Sequence, residues 1–362
     1  MNPPMKTAPE YLTPVPVEIV ERGPKRNALP PRFPAERPGS GSMSTSLPGI
    51  LILAALAFFT ACGPAQRDAS PEASTPSAIS STPRIALVMK SLANEFFLTM
   101  ENGAKAHQKT NATPYELLAN GIKDELDVTR QIDMVEQMIA QHVDAIVLAP
   151  ADSKALVAAC KKAQDAGIVV VNIDNKLDNA VLAEKKTRIP FIGPDNRQGA
   201  RKVGEYLARR LQPGDPVAIL EGAPNAFNGQ QRRQGFVDAF EIAKLRIASS
   251  QSGHWETDKA NQVAAAILSE NPDLKAFACA NDSMALGAIA ALRAAGKLGQ
   301  IHVVGFDNIS AVQSLLKEGR ILATADQHAD QIAVFGIEYA LQLLATRAAP
   351  ADRETPVDLI TQ

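Results

Sequence analysis

Residues 168–174 read IVVVNID, an apolar run of strand length that ends on an aspartate. A strand that is apolar at nearly every position, rather than at alternate positions, is typical of a parallel sheet covered by helices on both faces. Comparable runs occur at 84–90 (RIALVMK) and 216–221 (PVAILE), each followed by a stretch with helical spacing. The segment and its counterparts therefore predict a sheet of the α/β class.

The same alternation continues to the C-terminus. Predicted strands are 84–90, 115–119, 144–149, 168–174, 189–193, 216–221, 244–250, 275–280, 301–306 and 321–326. Predicted helices are 95–109, 128–142, 154–166, 197–211, 229–241, 258–269, 283–295, 310–318 and 330–346. This is about twice what one doubly wound sheet needs, and the pattern restarts near residue 188. We therefore expect an α/β fold with two similar lobes, each built on a doubly wound, mostly parallel sheet.

Composition excludes several classes of function. The 362 residues include 37 Lys and Arg and 39 Asp and Glu, a net charge of −2, so there is no basic surplus for nucleic acid. Cys62, Cys160 and Cys279 do not have the spacing of a metal site, and neither do the five histidines. The chain has no dinucleotide-binding, phosphate-loop or H-E-x-x-H motif. We expect no nucleic-acid partner, no metal and no cofactor.

The first 62 residues differ from the rest of the chain. Residues 1–47 are rich in proline and charge, and 47–60 (LPGILILAALAFFT) form an apolar run with the length of a signal-peptide core. Ala61-Cys62-Gly63 follows and resembles the lipobox of bacterial lipoproteins, in which the cysteine carries the lipid. The sequence predicts an extension and lipoprotein signal peptide over 1–62, with Cys62 as the lipidation site.

Residues 63–83 are rich in Ser, Pro and Ala and contain no core-forming pattern, as is typical of a tether. Translation could begin at Met1 or at Met43, which lies at a conventional distance before the cysteine. In either case, the only membrane attachment that we expect is a lipid anchor on the cell envelope.

Polar side chains cluster where predicted strands end. Because ligands of open α/β sheets lie outside the carboxyl ends of the strands, residues far apart in sequence can meet there in one cleft. The candidate residues, all placed just after a strand or at the start of a helix, are 94–97, 174–175, Arg232, 281–282, Asp307 and Gln327. Carboxylates, amides and aromatic rings in one cleft predict a site for a polyol or a sugar.

Eight segments, in order along the chain, resemble the type I periplasmic sugar-binding proteins, most closely the ribose-binding group. They are IALVMKSLANEFF, VDAIVLAPADS, IDNKLD, FIGPDNRQGA, QQRRQGF, ACANDSMALGAIAALRAAG, VVGFDN and ATADQHADQIAVFGIEYA. The resemblance covers residues 84–362 and implies two Rossmann-like lobes joined by a three-crossing hinge. It implies an N-lobe of 84–194 plus 328–358 and a C-lobe of 195–327 plus 359–362. It also implies a monomer that is not an enzyme and that delivers a monosaccharide to an ABC permease with a cytoplasmic ATPase.

The resemblance also implies a set of sugar contacts. The corresponding residues here are Asn94, Phe96, Phe97, Asp174, Asn175, Arg232, Trp255, Asn281, Asp307 and Gln327. Asn175 departs from the ribose-binding pattern, which carries arginine at that position, and Trp255 replaces a phenylalanine. The larger indole favours a hexose over ribose. Asp282 is predicted to cap the helix that follows it.

Three other functions were weighed against sugar uptake. Asp174 and Asp307 could serve as the acid and base of a glycosidase, but hydroxyl binding explains both carboxylates without chemistry. A sugar-responsive transcription regulator would carry a helix-turn-helix headpiece before the core, where this chain has the signal-like run. A signal or chemoreceptor protein for an autoinducer-like furanose or an inositol remains open.

Overall fold

The computed structural model describes residues 82–362. The predicted extension and signal peptide over 1–62, the lipidation site Cys62 and nearly all of the tether over 63–83 lie outside the described residues. Within residues 82–362, every helix is too short or too polar to serve as a membrane span.

The first sheet contains six strands in the order β11-β5-β4-β3-β1-β2. Its strands are β1 (Arg84–Met89), β2 (Glu116–Gly121), β3 (Ala145–Leu148), β4 (Val169–Ile173), β5 (Phe191–Pro194) and β11 (Arg353–Thr355). Every neighbouring pair in this sheet is parallel. The opening segment of the sequence analysis forms β4, and its apolar side chains are buried because helices cover both faces.

The second sheet repeats this arrangement with the order β12-β10-β9-β8-β6-β7. Its strands are β6 (Pro216–Glu221), β7 (Arg246–Ser252), β8 (Ala276–Cys279), β9 (His302–Val304), β10 (Ala323–Asp326) and β12 (Asp358–Thr361). All pairs are parallel except β10 with β12, which is antiparallel. The expectation of an α/β fold with two mostly parallel lobes is confirmed.

Ten helices of the described chain surround the two sheets. They are α1 (Glu95–Thr110), α2 (Val128–Ala140), α3 (Leu156–Asp165), α4 (Asn179–Glu184), α5 (Asn196–Ala208), α6 (Phe227–Ile242), α7 (Thr257–Glu270), α8 (Asp282–Ala294), α9 (Ser310–Lys317) and α10 (Ala329–Thr346). Residues of α2 and α3 form a core with one face of the first sheet, and residues of α5 and α6 form a core with one face of the second. A third core joins α1, α10, α7 and α8 to the remaining faces.

The chain passes between the two sheets three times. The passages lie between β5 and α5, between β10 and α10, and between β11 and β12. The last passage places Asp358 opposite Asp326 in the second sheet, whereas residue 358 was expected in the first lobe. All three passages are only a few residues long, so the two lobes are connected by short segments that a hinge motion can use.

Three short elements were missed in the sequence. They are α4, with six residues, and the edge strands β11 and β12, with three and four residues. A run of this length shows too few periods for a hydrophobic pattern to be read. Two edge strands, β2 and β7, begin one or two residues later than predicted, because their half-exposed residues lack the apolar signal of the central strands.

Candidate functional site

A small cavity lies at the carboxyl ends of the strands, between the two lobes. Its volume is about 230 Å³ when the space open to solvent is counted. Its lining residues are Lys90, Asn94, Phe96, Phe97, Glu125, Asp174, Asn228, Arg232, Trp255, Asn281, Asp307 and Gln327. Nine of the ten predicted sugar contacts are therefore brought together, and Asn175 is the exception.

Three of the lining residues have a backbone conformation that side chains other than glycine rarely adopt. The φ angles are 59° at Asp174, 69° at Trp255 and 115° at Asp307. Strained backbone of this kind costs on the order of 1–3 kcal/mol per residue and is concentrated at functional sites. The strain turns each side chain from the end of its strand or loop into the cavity.

The first lobe contributes one cation and two carboxylates to the cavity. The Lys90 Nζ atom lies 3.2 Å from Asp174 Oδ2 and 3.8 Å from Glu125 Oε2. All three side chains are almost completely buried. Burying charges is costly even when they are paired, so a group of this kind is better explained by a polar ligand than by stability of the fold.

The second lobe contributes an arginine and a carboxylate that are fixed by the surrounding residues. Arg232 donates from Nε to Asn196 Oδ1 at 2.7 Å and from Nη1 to Asp307 Oδ1 at 3.2 Å. Gln327 Nε2 donates to the same Asp307 oxygen at 2.7 Å. With two donors on Oδ1, the carboxylate of Asp307 is held in one orientation before any ligand arrives.

Aromatic rings form the apolar part of the lining. Phe96 and Phe97 meet edge to face with ring centroids 5.0 Å apart. Trp255 comes from the second lobe, and the Lys90 ammonium lies 5.2 Å from the Phe97 centroid and 5.4 Å from the Trp255 centroid. The faces of such rings pack against the C–H side of a sugar ring, while charged groups at the edges take its hydroxyls.

Two glycines make room for the indole of Trp255. A side chain at Gly222 would overlap the six-membered part of the indole, and one at Gly229 would come within 2.9 Å of it. Phe306 does not line the cavity. It lies beneath Arg232, with the guanidinium 3.8 Å from the ring centroid.

Two carboxyl groups of the cavity have raised pKa values. Burial raises the pKa of Glu125 to about 7, in spite of the Lys90 ammonium and the hydrogen bond from Asn94. Burial likewise raises the pKa of Asp307 to about 7, against the effects of Arg232 and Gln327. Both groups therefore change protonation near neutral pH, and both would be charged more readily if a ligand donated hydrogen bonds to them.

Four buried oxygens of the lining accept no hydrogen bond from the described part of the chain. They are Glu125 Oε2, Asp174 Oδ2, Asn228 Oδ1 and Gln327 Oε1. Asp174 Oδ2 is close to the Lys90 ammonium, but not in hydrogen-bond geometry. An unsatisfied buried acceptor costs about 1–3 kcal/mol, so four acceptors facing one cavity indicate a ligand that carries several donors.

Two asparagines of the lining also hold helices in place. Asn94 Oδ1 accepts from the Phe96 N–H at the start of α1, and Asn281 Oδ1 accepts from the Met284 N–H at the start of α8. The cap of α8 is thus Asn281, and the prediction that Asp282 caps it was wrong. Asn281 Nδ2 donates to the Trp255 carbonyl at 3.2 Å, which ties this cap to the aromatic wall.

Asp282 lies behind the cavity and is fully buried. Its Oδ2 accepts from the Ile309 N–H at 3.1 Å, and its Oδ1 accepts from the Thr324 hydroxyl at 2.9 Å. Burial and the neighbouring Asp307 raise its pKa well above the ordinary value. The Ile309 bond ties the loop that carries Asp307 to the start of α8, and the Thr324 bond ties the start of α8 to β10.

Asn175 does not line the cavity, contrary to the sequence prediction. Its Nδ2 donates to the Pro150 carbonyl at 2.9 Å, and its Oδ1 accepts from Ser153 Oγ at 3.3 Å and from the Asn228 N–H at 3.1 Å. All of these groups belong to the protein. Asn175 therefore bonds within the protein and not into the cavity.

Three further residues line the cavity that the sequence did not predict, namely Lys90, Glu125 and Asn228. Lys90 directly follows β1, so the rule that selected Asp174 could have selected it. Glu125 follows β2 within the charged segment KDELD, which reads as a solvated loop. Asn228 lies in the first turn of α6, one residue before the helix that the sequence predicted.

Over residues 82–362 we find no group of three or more His, Cys, Asp or Glu side chains placed to hold a metal ion. The cavity itself contains two cations, Lys90 and Arg232, and three carboxyl groups, Glu125, Asp174 and Asp307. A ligand with a full charge of either sign would face like charges in this lining. A neutral ring with several hydroxyl groups can donate to the carboxylates, accept from the cations and stack on the aromatic faces.

Two lobes of this topology, with a polar cavity between the carboxyl ends of their strands, define a binding protein that encloses a small solute. The family model described as periplasmic binding protein domain matches residues 85–348, and the chain belongs to this family.

The chain is similar to three characterised relatives. It is 58% identical over 313 residues to the D-ribose/D-allose-binding protein of Pseudomonas aeruginosa, covering 85% of this chain and 97% of that protein. It is also similar to the crystal structure of an ABC transporter solute-binding protein from Burkholderia multivorans, which contains an unknown ligand interpreted as alpha-D-erythrofuranose. The two sequences are 60% identical and the TM-score is 0.76, and the match covers 78% of this chain and all of that one. An Actinobacillus succinogenes solute-binding protein with bound D-allose is 34% identical with a TM-score of 0.72, covering 77% and 98%.

Proposed function

We propose that this protein captures one neutral monosaccharide between its two lobes and delivers it to an ABC import permease with a cytoplasmic ATPase. The observation that carries the proposal is the set of four buried acceptor oxygens, on Glu125, Asp174, Asn228 and Gln327, around one small cavity. Donation by sugar hydroxyls would satisfy these oxygens. Phe96, Phe97 and Trp255 would cover the faces of the ring.

We further propose that the sugar is a pyranose of the ribose and allose configuration. One relative is named for binding D-ribose and D-allose, and another was crystallised with D-allose. Ribopyranose and allopyranose share the configuration of their ring hydroxyls and differ by one hydroxymethyl group. The same lining could therefore take both, and Trp255 supplies the larger platform that a hexose uses.

Delivery requires the two lobes to separate and close, and we assign the first lobe to 84–194 plus 328–357 and the second to 195–327 plus 358–362. The strand membership of the two sheets and the three short passages between them support these bounds. Closure would place the lining of both lobes around the sugar and exclude water. The closed monomer is then the form that a permease would bind.

We propose binding without catalysis. Asp174 accepts from Asn228 and pairs with Lys90, Asp307 accepts from Arg232 and Gln327, and hydroxyl binding accounts for the remaining acceptor capacity of both carboxyl groups without chemistry. Incubating the purified protein with allosides or ribosides and assaying for free sugar tests this statement. Turnover would overturn it.

We also propose that Cys62 anchors the protein to the cell envelope by a lipid. The support is the sequence Ala61-Cys62-Gly63 after the apolar run at 47–60. A Cys62→Ser variant expressed from the full gene should leave the membrane fraction, while a Cys160→Ser control should remain there. A variant at Cys62 that stays membrane-bound would contradict the anchor.

A thermal-shift screen with pentoses, hexoses, inositols and autoinducer-like furanoses tests the class of ligand. A sugar at 100 times its Kd should stabilise the protein by about 2.7 kcal/mol. D-Allose and D-ribose should raise the unfolding midpoint, whereas D-glucose, the C3 epimer of allose, should have a smaller effect. Stabilisation by inositol or a furanose alone would favour the signal-receptor alternative.

A further inference from the structure

Three helices of the second lobe, α6, α7 and α9, begin without a side-chain cap bond, and two of them have a cap residue that cannot supply one. The residues at the cap positions are Ala226 before α6 and Ile309 before α9, and neither has a side-chain oxygen. The first N–H groups of a helix have no partner inside the helix and need an acceptor from elsewhere. By contrast, α5 and α8 of the same lobe are capped by Asp195 and Asn281.

The acceptors for α6 come from the first lobe. The Phe227 N–H donates to Ser153 Oγ at 2.9 Å, and the Asn228 N–H donates to Asn175 Oδ1 at 3.1 Å. Ser153 follows β3 and Asn175 follows β4, and both side chains are buried. This end of α6 is therefore capped across the gap between the two lobes.

The same arrangement occurs at α9, near the rim of the cleft. The Ser310 N–H donates to Glu95 Oε1 at 2.7 Å, and the Ala311 N–H lies 3.4 Å from Glu95 Oε2. Glu95 is the first residue of α1 in the first lobe. A carboxylate at a helix N-terminus is also stabilised by the helix dipole.

We infer that Glu95, Ser153 and Asn175 form an interlobe latch, which sets the affinity for the sugar without touching it. None of the three lines the cavity. Their bonds to α6 and α9 exist only when the lobes are together, because the donors and the acceptors belong to opposite lobes. The latch thus stabilises the closed form selectively. The apparent affinity for the sugar is proportional to the fraction of protein that is competent to bind, so it falls when that fraction falls.

Two further contacts support the closed arrangement beside α6. Asn225 Nδ2 donates to Asp152 Oδ2 at 2.6 Å, and the Ser153 N–H donates to the Asn225 carbonyl at 3.1 Å. The loop before α6 is therefore joined to the loop after β3 by both side chain and backbone. Like the bonds of the latch, these bonds join the two lobes and can exist only in the closed form.

The first test measures sugar affinity by calorimetry for Glu95→Ala, Ser153→Ala and Asn175→Ala. The latch predicts that each change raises the Kd by about 2- to 30-fold, the range that corresponds to loss of one helix cap. Glu95→Gln keeps an acceptor oxygen and should recover part of the loss. D-Allose and D-ribose are the probes, and this choice of sugar rests on the proposed function.

The matched control is Asp127→Ala, which removes the cap of α2. Asp127 Oδ1 accepts from the Arg130 N–H in its own lobe, so this bond is the same in the open and the closed form. The control should lower the unfolding midpoint and leave the Kd unchanged. If the latch is formed on closure, Glu95→Ala should raise the Kd and leave the unfolding midpoint unchanged.

Small-angle X-ray scattering of the ligand-free protein gives a second readout that needs no sugar. In a latch variant, the population of ligand-free molecules should shift toward the larger, open form, the Kd for the sugar should rise, or both should occur. If neither the Kd nor the scattering of the latch variants changes, the latch is wrong. If the unsubstituted protein binds no sugar, the proposed function fails. The latch can then still be tested by scattering alone, and it is overturned if the scattering curve of Glu95→Ala equals that of the unsubstituted protein.

Discussion

At the scale of single residues, the cavity holds charge that its own side chains balance only in part. Glu125 and Asp307 are buried, and their pKa values are raised to about 7, chiefly by burial. Lys90 and Arg232 each pair with a carboxylate nearby. The remaining acceptor capacity is directed at the cavity, which is why hydroxyl groups rather than ions suit it.

Removing one acceptor should have a measurable cost. We expect Asp307→Ala to weaken sugar binding by more than about 1.5 kcal/mol, because the hydroxyl groups lose a charged acceptor in a buried site. Calorimetric titration measures this. Asp238→Ala is the control, since Asp238 pairs with Arg197 on the surface of the second lobe. An unchanged Kd for Asp307→Ala would remove this residue from the binding site.

The raised pKa values also predict how affinity depends on pH. Sugar hydroxyls that donate to a carboxylate favour its charged form, so binding should lower the pKa of Glu125 and Asp307 and release protons near pH 7. Affinity should therefore fall as the pH drops from about 8 to about 5. Glu125→Gln should flatten this dependence, with Lys90, Asn94, Asp174 and Asp307 still facing that position.

The stability of the sugar-free protein should depend on pH in the opposite sense. The two folded-state pKa values lie above their ordinary values of 4.5 and 3.8. These groups therefore favour folding at acid pH, and this contribution is lost as the pH rises through about 7. Denaturant titrations with and without sugar at pH 5 and 8 measure both trends. An affinity that is highest at pH 5 would contradict the hydroxyl-to-carboxylate contacts.

Residue identity alone predicted much of the site, because Asp174, Asn281 and Asp307 each follow an apolar strand. An unpaired polar group at such a position is costly unless it has a partner or a ligand. Glu125 could not be found in this way, since its neighbours in sequence are charged although the residue is buried in the fold. The role of Asn175 was also beyond the sequence. Its partner, the Asn228 N–H, is 53 residues away and belongs to α6 of the other lobe.

At the scale of elements, the site is built from helix starts and strand ends. Asn281 connects both, because it caps α8 and bonds to the carbonyl of Trp255. Long central strands were predictable from their apolar runs, whereas β11, β12 and α4 were not, since each is only three to six residues long. The cap at Asn281 was predictable as a residue type but not as a position, because Asp282 beside it is an equally good cap.

Replacing Asn281 separates the cap from the ligand contact. Asn281→Ala should lower the free energy of unfolding by about 1 kcal/mol through loss of the cap, and should weaken sugar binding. Asn281→Ser should restore the stability but not the affinity, since serine caps a helix yet lacks the amide that bonds to Trp255. Denaturant unfolding and calorimetry together test this. Full recovery of affinity in the serine variant would leave the amide without a role in binding.

At the scale of the whole molecule, the two sheets and three short passages between them suit a protein that opens and closes. The bonds from Glu95, Ser153 and Asn175 to α6 and α9 act only in the closed form. The doubling of the α/β pattern predicted two lobes from the sequence. The contacts between the lobes could not be predicted, since they depend on backbone N–H groups that every sequence has.

Sugar should therefore compact the molecule. We expect the radius of gyration from small-angle X-ray scattering to decrease when a binding sugar is added, because the ligand contacts both lobes only in the closed form. Trp255, the only tryptophan of the chain, offers a fluorescence signal from the cavity for the same titration. A binding sugar that changes neither signal would argue against closure around the ligand.

The central claim is that the cavity binds a neutral monosaccharide. The most direct measurement is a calorimetric titration of the purified protein with D-allose, D-ribose and D-allose 6-phosphate, which can still form a pyranose, repeated with Asp307→Ala. We predict that D-allose or D-ribose binds one molecule per chain, that the phosphate ester binds far more weakly because Glu125, Asp174 and Asp307 repel it, and that Asp307→Ala loses affinity. Absence of binding by any neutral monosaccharide, or tighter binding of the phosphate ester, would contradict the claim.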